Sequence, residues 1–242
     1  MRLSDLHLSL CWGVFLVFAF FGVLYFVFTE IAGLDAHVPH YGVYILFAMV
    51  MFNFFGDVTG QCLNALPMRE NLLRKMQFPP IVIPLSIAVT GLLNLGMTLI
   101  AVVIFALFNG VYPEWSWFAY PVVILLLTTF SVGLGMFLSA LFVRFRDIQP
   151  IWDVLSQILF YASAVLYVYT TIPAQYQQWF LVNPLAALNT SMRHVVIDPN
   201  APSMFEAMPG GLWLIPLGIV LGSLALGLWV FLRESPRVAE RL

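Results

Sequence analysis

Asn53, Asp57, Gln61 and Asn64 interrupt an apolar stretch at spacings that place all of them on one helical face. A second series, Ser86, Thr90, Asn94 and Thr98, recurs every fourth residue in the next apolar stretch. Amides, hydroxyls and a carboxylate in such stripes suit a polar substrate, and Asp57 adds an ionisable group able to exchange a proton. Polar groups facing lipid are costly, so both stripes are expected to face protein or water. They either line a path for a polar substrate or join helices by hydrogen bonds. An aromatic tract follows, with Phe160, Tyr161, Tyr167, Tyr169, Tyr176, Trp179 and Phe180. It suits an interfacial anchor or a platform for sugar rings, whose C–H faces stack on aromatic faces.

Other chemistry is missing. The Gly-x-x-x-x-Gly-Lys-Ser/Thr loop that cradles nucleotide phosphates does not occur, and Lys75, the sole lysine, follows no such glycines. His-Glu-x-x-His and Gly-x-Ser-x-Gly are absent too. His37 and His40 flank Pro39 and read as solvated loop residues, with a proton or metal site as the alternative. Cys11 and Cys62 form no CxxC pair and read as small core residues.

The elements that position these residues follow from composition. The 242-residue chain is 62% hydrophobic and 9% charged, with a mean hydropathy of +0.95. That balance belongs to an integral membrane protein, and the long apolar runs exclude a barrel, which alternates in short segments. A net charge of −2 argues against a nucleic-acid partner. The expected fold is all-α, a single membrane domain over 1–242 with six spans near 8–32, 42–66, 81–109, 118–143, 151–172 and 212–232. The run from Leu8 to Phe28 exceeds a signal-peptide core and reads as a retained span. The connection 173–211 is rich in proline, and its apolar middle, Trp179 to Leu188, is too short to cross. It is expected to form one or two helices dipping re-entrantly into the outer interface.

Basic residues orient the chain. With the amino terminus inside, Arg2, Arg69, Arg74, Lys75, Arg144, Arg146, Arg233, Arg237 and Arg241 all fall in inner segments, and only Arg193 falls outside. Both termini are then cytoplasmic. Small residues Ser131, Gly135 and Ser139, and Gly218 and Gly222, recur at spacings that allow close helix packing or a dimer face.

Between the second and third spans lies Met68 to Pro84, where Leu72, Leu73 and Met76 fall on one helical face and Arg69, Arg74 and Lys75 on the other. Pro79, Pro80 and Pro84 break the helix and restart it. A short amphipathic helix held between two spans is well placed to be pushed.

Several stretches resemble the membrane subunit of type-2 ATP-binding-cassette exporters, in the branch that exports O-antigen, capsule and teichoic acid. They are Glu70-Asn71-Leu72-Leu73-Arg74-Lys75 with Phe78-Pro79 and Ile83-Pro84-Leu85, then Arg144 to Ile148 with Asp147 and Trp152, and last Pro173, Asn183-Pro184-Leu185 and Arg193. Their order and spacing, over roughly residues 42–200, carry the resemblance. It implies a homodimer beneath which two copies of a separate ATPase bind ATP and Mg, so that this chain holds no cofactor and catalyses nothing itself. It implies coupling to the ATPase through Arg69, Glu70, Asn71, Leu72, Leu73, Arg74, Lys75, Phe78, Pro79, Arg144, Arg146 and Asp147. A lipid-linked glycan would pass along Asn53, Asp57, Gln61, Asn94, Tyr161, Tyr167, Tyr169 and Trp179, with Asn183, Pro184 and Arg193 in the outer re-entrant motif. The location implied is the cytoplasmic (inner) membrane, among its lipids.

The chain departs from the family pattern twice. Only Met1 to His7 precede the first span, where relatives carry a longer basic amphipathic helix. Ser163-Ala164-Val165 stands where many relatives have proline after the serine, which implies a less kinked fifth span. Other readings are the same architecture with a drug or lipid cargo, a proton-coupled carrier using Asp57, and a scaffold that transports nothing.

Overall fold

The computed structural model describes residues 40–65, 80–145 and 147–241, with Gly22 besides, and for 235–241 the backbone alone. The first expected span, the amphipathic link with Arg69, Glu70, Asn71, Leu72, Leu73, Arg74, Lys75, Phe78 and Pro79, and Arg146 lie outside the described residues. Among the described residues the architecture is all-helical, without strand. In chain order the α-helices are α1 (Tyr41–Leu63), α2 (Val82–Phe108), α3 (Tyr120–Arg144), α4 (Ile148–Ala162), α5 (Ala174–Phe180), α6 (Pro184–Met192), α7 (Met204–Ala207) and α8 (Leu214–Arg241). A 3₁₀ turn over Trp115–Ala119 leads into α3, and a π-helical turn over Arg193–Ile197 continues α6.

Among the described residues, four stretches are long and apolar enough to cross a membrane: Tyr41–Leu63, Val82–Phe108, Trp115–Arg144 and Pro209–Glu234. They coincide with the second, third, fourth and last expected spans. Proline marks several starts. Pro84 lies in the first turn of α2, Pro121 opens α3, and Pro184 opens α6, positions where a missing N–H costs nothing.

Helix α1 is the centre of the bundle, buried along most of its length and packed by α2 on one side and α3 on another. In lipid, apolar side chains gain little by leaving the solvent, so close packing and hydrogen bonds must hold the helices together. The Phe55 ring stacks on Phe130 of α3 at 5.5 Å and 10°. Phe47 meets Tyr120 edge-on at 5.9 Å. The tightest crossing joins α3 to α8. A Cβ on Gly133 would lie 2.5 Å from the Leu224 backbone nitrogen, and a Cβ on Gly227 would collide with the Gly133 carbonyl. Backbone meets backbone there, and only glycine fits. Gly218 and Gly222, expected to make such a contact, have nothing within 4 Å. The face of α8 that meets α3 is instead the one bearing Gly227.

The fifth expected span, 151–172, is not one continuous helix. Helix α4 starts at Ile148 and ends at Ala162, 15 residues in all. At 1.5 Å per residue it rises about 22 Å, short of a hydrocarbon core of about 30 Å. Only Trp152 of α4 is buried, and α4 leans on α1 through Trp152 against Phe55 (6.0 Å) and Phe160 against Phe52 (5.1 Å). Nor is this segment less kinked for want of proline. Ala164 takes a left-handed backbone, φ 54°, and stops the helix outright. The chain then makes a 3₁₀ turn over Tyr169–Thr171 before the two short helices α5 and α6.

Candidate functional site

A break in a helix within a membrane protein frees backbone carbonyls that hydrocarbon cannot satisfy, so such breaks survive only where protein or water provides partners. Here the partners are side chains. The Tyr41 hydroxyl donates to the Leu166 carbonyl at 2.5 Å. The Tyr44 hydroxyl is shared between the carbonyls of Ala164 and Tyr167, the latter at 3.1 Å. Asn183 donates through Nδ2 to the Ala162 carbonyl (2.9 Å) and to Ser163 Oγ (3.2 Å). Asn189 donates to the Ser163 carbonyl at 2.7 Å. Ser163 Oγ in turn donates to the Leu159 carbonyl at 2.5 Å. Side chains of α1 and α6, with the Asn183 cap of α6, thereby hold 162–167 in its irregular path.

Asn183 has a second task. Its Oδ1 accepts the Leu185 N–H at 3.1 Å and caps α6, with Pro184 in the first position. The expected outer motif is therefore a start signal for α6 and a tie to the end of α4. Helix α6 is buried along nearly its whole length, whereas no residue of α5 is buried. Where one or two helices were expected over 173–211, three short α-helices stand: α5, α6 and α7.

Arg193, the remaining member of that motif, opens the π-helical turn, whose wide loop closes with the Asp198 N–H on the Arg193 carbonyl at 3.0 Å. Its side chain is only 8% exposed. Close by, His194 Nδ1 lies 2.6 Å from the Ala201 carbonyl, and the Trp117 indole donates to the Val196 carbonyl at 3.0 Å. Both contacts fix the turn against its surroundings.

The aromatic tract is split rather than gathered. The Tyr167 hydroxyl donates to the Tyr161 carbonyl at 2.7 Å, and the Tyr167 ring lies 5.8 Å from Phe180. Tyr161 packs edge-on to Phe160 at 5.4 Å. Tyr169 is buried in the bundle, while Trp179 is 78% exposed. Tyr161, Tyr167 and Phe180 can present one surface; Tyr169 belongs to the interior.

Of the polar stripe on α1, Asp57 and Gln61 are exposed and Asn53 and Asn64 half-buried, so the middle of the stripe is open among the described residues. The α2 hydroxyls turn back on their own helix: Ser86 Oγ donates to the Ile83 carbonyl (2.8 Å), Thr90 to Ser86 (2.9 Å) and Thr98 to Asn94 (3.0 Å). Asn94 is exposed on that helix. Of the expected coupling residues, Arg144 and Asp147 are described. Both are exposed at the α3–α4 link, with the Arg144 guanidinium 5.5 Å from the centre of the Phe145 ring.

Sequence reasoning missed Tyr41, Tyr44, Ser163 and Asn189, which do most of the holding. The one signal available was the spacing of Tyr41 and Tyr44, which puts two hydroxyls on one face of the first turn of α1.

The chain is similar to three proteins called O-antigen export system permease protein RfbA. To one from Myxococcus xanthus it is 30% identical over 168 residues, 69% of this chain and 65% of that protein. To one from Klebsiella pneumoniae it is 25% identical over 242 residues, all of this chain and 90% of that protein. To another from Klebsiella pneumoniae it is 23% identical over 188 residues, 77% of this chain and 72% of that protein. The match thus spans just under two thirds of the Myxococcus protein's length. The model of the ABC-2 type transporter family matches residues 3–197, and with four-fifths of its length so covered the chain belongs to that family.

Proposed function

We propose that this chain is the channel-forming subunit of an exporter that moves a lipid-linked polysaccharide, of O-antigen, capsule or teichoic-acid type, across the cytoplasmic membrane. The observation that carries the reading is the likeness to an O-antigen export permease along all 242 residues. Two copies pair in the membrane, and a separate ATPase, also in two copies, binds ATP and Mg beneath them. The chain is a single domain of six spans, the fifth made of α4 together with the irregular stretch 163–172 that follows it, with both termini on the cytoplasmic side. Helices α5 and α6 form the re-entrant outer element, and the carbonyls held by Tyr41, Tyr44, Asn183 and Asn189 supply what such an element needs in lipid.

Closure of the ATPases pushes the amphipathic link from Arg69 to Pro79, with Arg144, Arg146 and Asp147 as a second contact on the same side. The push has an effect only if it favours one arrangement of the helices over another. Residues Asn53, Asp57 and Gln61 on the polar face of α1, with Asn94, offer hydrogen bonds to a hydroxyl-rich chain. Tyr161 and Tyr167 offer a stacking surface toward the outside, with Trp179 beside it on α5.

The test is co-purification of the full chain in mild detergent, followed by identification of the soluble ATPase and any bound glycolipid, and transport in proteoliposomes. Glycan transport that needs both the ATPase and ATP is expected. Transport in the absence of any nucleotide-hydrolysing partner overturns the reading. Exposure of Asp57 on the α1 face favours a second reading, a carrier coupled to protons. It requires transport without ATP and its loss in Asp57→Asn.

A further inference from the structure

A cation buried in a membrane protein is costly and normally finds a carboxylate or a set of carbonyls. Arg193 has neither. It is nine-tenths buried, its Nε has no hydrogen-bond partner, and no described carboxylate forms an ion pair with it. The Tyr44 hydroxyl, within electrostatic reach of the guanidinium, is spent on the carbonyls of Ala164 and Tyr167. Tyr169 lies in the same field, together with Glu206. Glu206, however, is exposed and accepts the Ser203 N–H at 2.9 Å in the capping box that starts α7. The arginine also opens a π-helical turn, a widened geometry found frequently at functional sites.

A guanidinium fork held like this, with positive charge and no carboxylate paired to it among the described residues, is complementary to a tetrahedral oxyanion. Within a membrane protein, the anions delivered to such a depth are those carried on lipids, and these are phosphate esters. We propose that Arg193 is the anchoring residue of a binding site for a lipid-borne phosphate or diphosphate group, set between the first turns of α1, the Tyr169 turn and the start of the π-helical turn. On the proposed orientation the site lies toward the outer side of the bundle, where a lipid-linked cargo or a bilayer phospholipid presents its headgroup. The inference rests on the polysaccharide reading only as to which lipid is bound.

The experiment uses the full chain in neutral detergent and measures binding and the shift of the unfolding midpoint. The probes are farnesyl diphosphate, dioleoylphosphatidylglycerol and inorganic pyrophosphate, with sulfate at matched ionic strength as control. At least one phosphate probe is expected to raise the midpoint of the unsubstituted protein. Arg193→Gln is expected to weaken that binding roughly tenfold or more, because a charge-assisted contact is lost. Arg193→Lys keeps the charge but loses the fork, and falls between. Preference for farnesyl diphosphate identifies a polyprenyl diphosphate carrier as the source, and parity with phosphatidylglycerol identifies a bilayer headgroup. Equal binding of free pyrophosphate identifies a site for the soluble anion and overturns lipid delivery.

The site itself is overturned if no probe shifts the unsubstituted protein, if sulfate shifts it equally, or if Arg193→Gln binds as tightly. Should Arg193→Gln fail to fold, Arg193→Lys decides, and undiminished binding there overturns the proposal. The polysaccharide reading fails in the transport assay instead, so the two can fall separately.

Discussion

Asn183 joins two kinds of interaction that substitution can separate. Its Oδ1 caps α6 through the Leu185 N–H, and its Nδ2 holds the Ala162 carbonyl and Ser163 Oγ at the end of α4. Serine caps a helix about as well as asparagine, but its hydroxyl is too short to reach across to Ala162. Asn183→Ser therefore removes the tie and leaves the cap. A side-chain hydrogen bond between helices in a membrane protein is worth about 0.6 kcal/mol on average and about 1.7 at most. Asn183→Ser is expected to cost within that range. Asn183→Ala removes the cap as well, worth about 1 kcal/mol more, for a total of about 1.6–2.7 kcal/mol. Steric trapping in bicelles or reversible unfolding in mixed micelles reads differences of this size. Combining Asn183→Ser with Ser163→Ala tests the pair directly: costs that add without coupling remove the Asn183–Ser163 contact from the account. If Asn183→Ser and Asn183→Ala cost the same, the cap contributes nothing. If Asn183→Ser costs nothing, the carbonyls at the break are satisfied some other way, and the reasoning about how the break is held fails.

Gly227→Val should cost several kcal/mol, because the added carbons meet the Gly133 backbone rather than a side chain that can yield; the matched Gly222→Ala should stay within about 0.5 kcal/mol, and comparable losses of folded yield in both would remove the crossing from its assigned place. Trp179→Ala, on an exposed ring, should leave the unfolding midpoint unchanged while slowing glycan export, and a parallel fall in both makes the residue an anchor only. Charge reversal at Arg74 and Lys75 should lower stimulation of the partner ATPase without reducing membrane insertion, and unchanged stimulation argues against the link as the contact that is pushed.

The long helices were legible because each is an unbroken apolar run of spanning length, and proline marks where α2, α3 and α6 begin. Asn183-Pro184 was legible as a motif, and its capping role follows from residue type alone. The break after Ala162 was not. Ser163-Ala164-Val165 contains neither glycine nor proline, and alanine rarely accepts a left-handed backbone. What stabilises it comes from far away in sequence: Tyr41 lies 125 residues from its partner Leu166, and Asn189 lies 26 residues from Ser163. Local pattern cannot report a conformation imposed by distant donors. The glycines of α8 failed for a related reason. Spacing shows that a helix has a narrow face, and only the neighbour decides which face is used. The aromatic tract shows the same limit, since Tyr169 and Trp179 look alike in sequence yet end up buried and exposed.

Where Gly133 and Gly227 meet, no side chain lies between the helices to act as a bearing. Two surfaces locked main chain to main chain cannot slide lengthwise past each other without first separating. Helices α3 and α8 therefore travel as one rivet-joined plate, and any pore that opens must do so along a different seam.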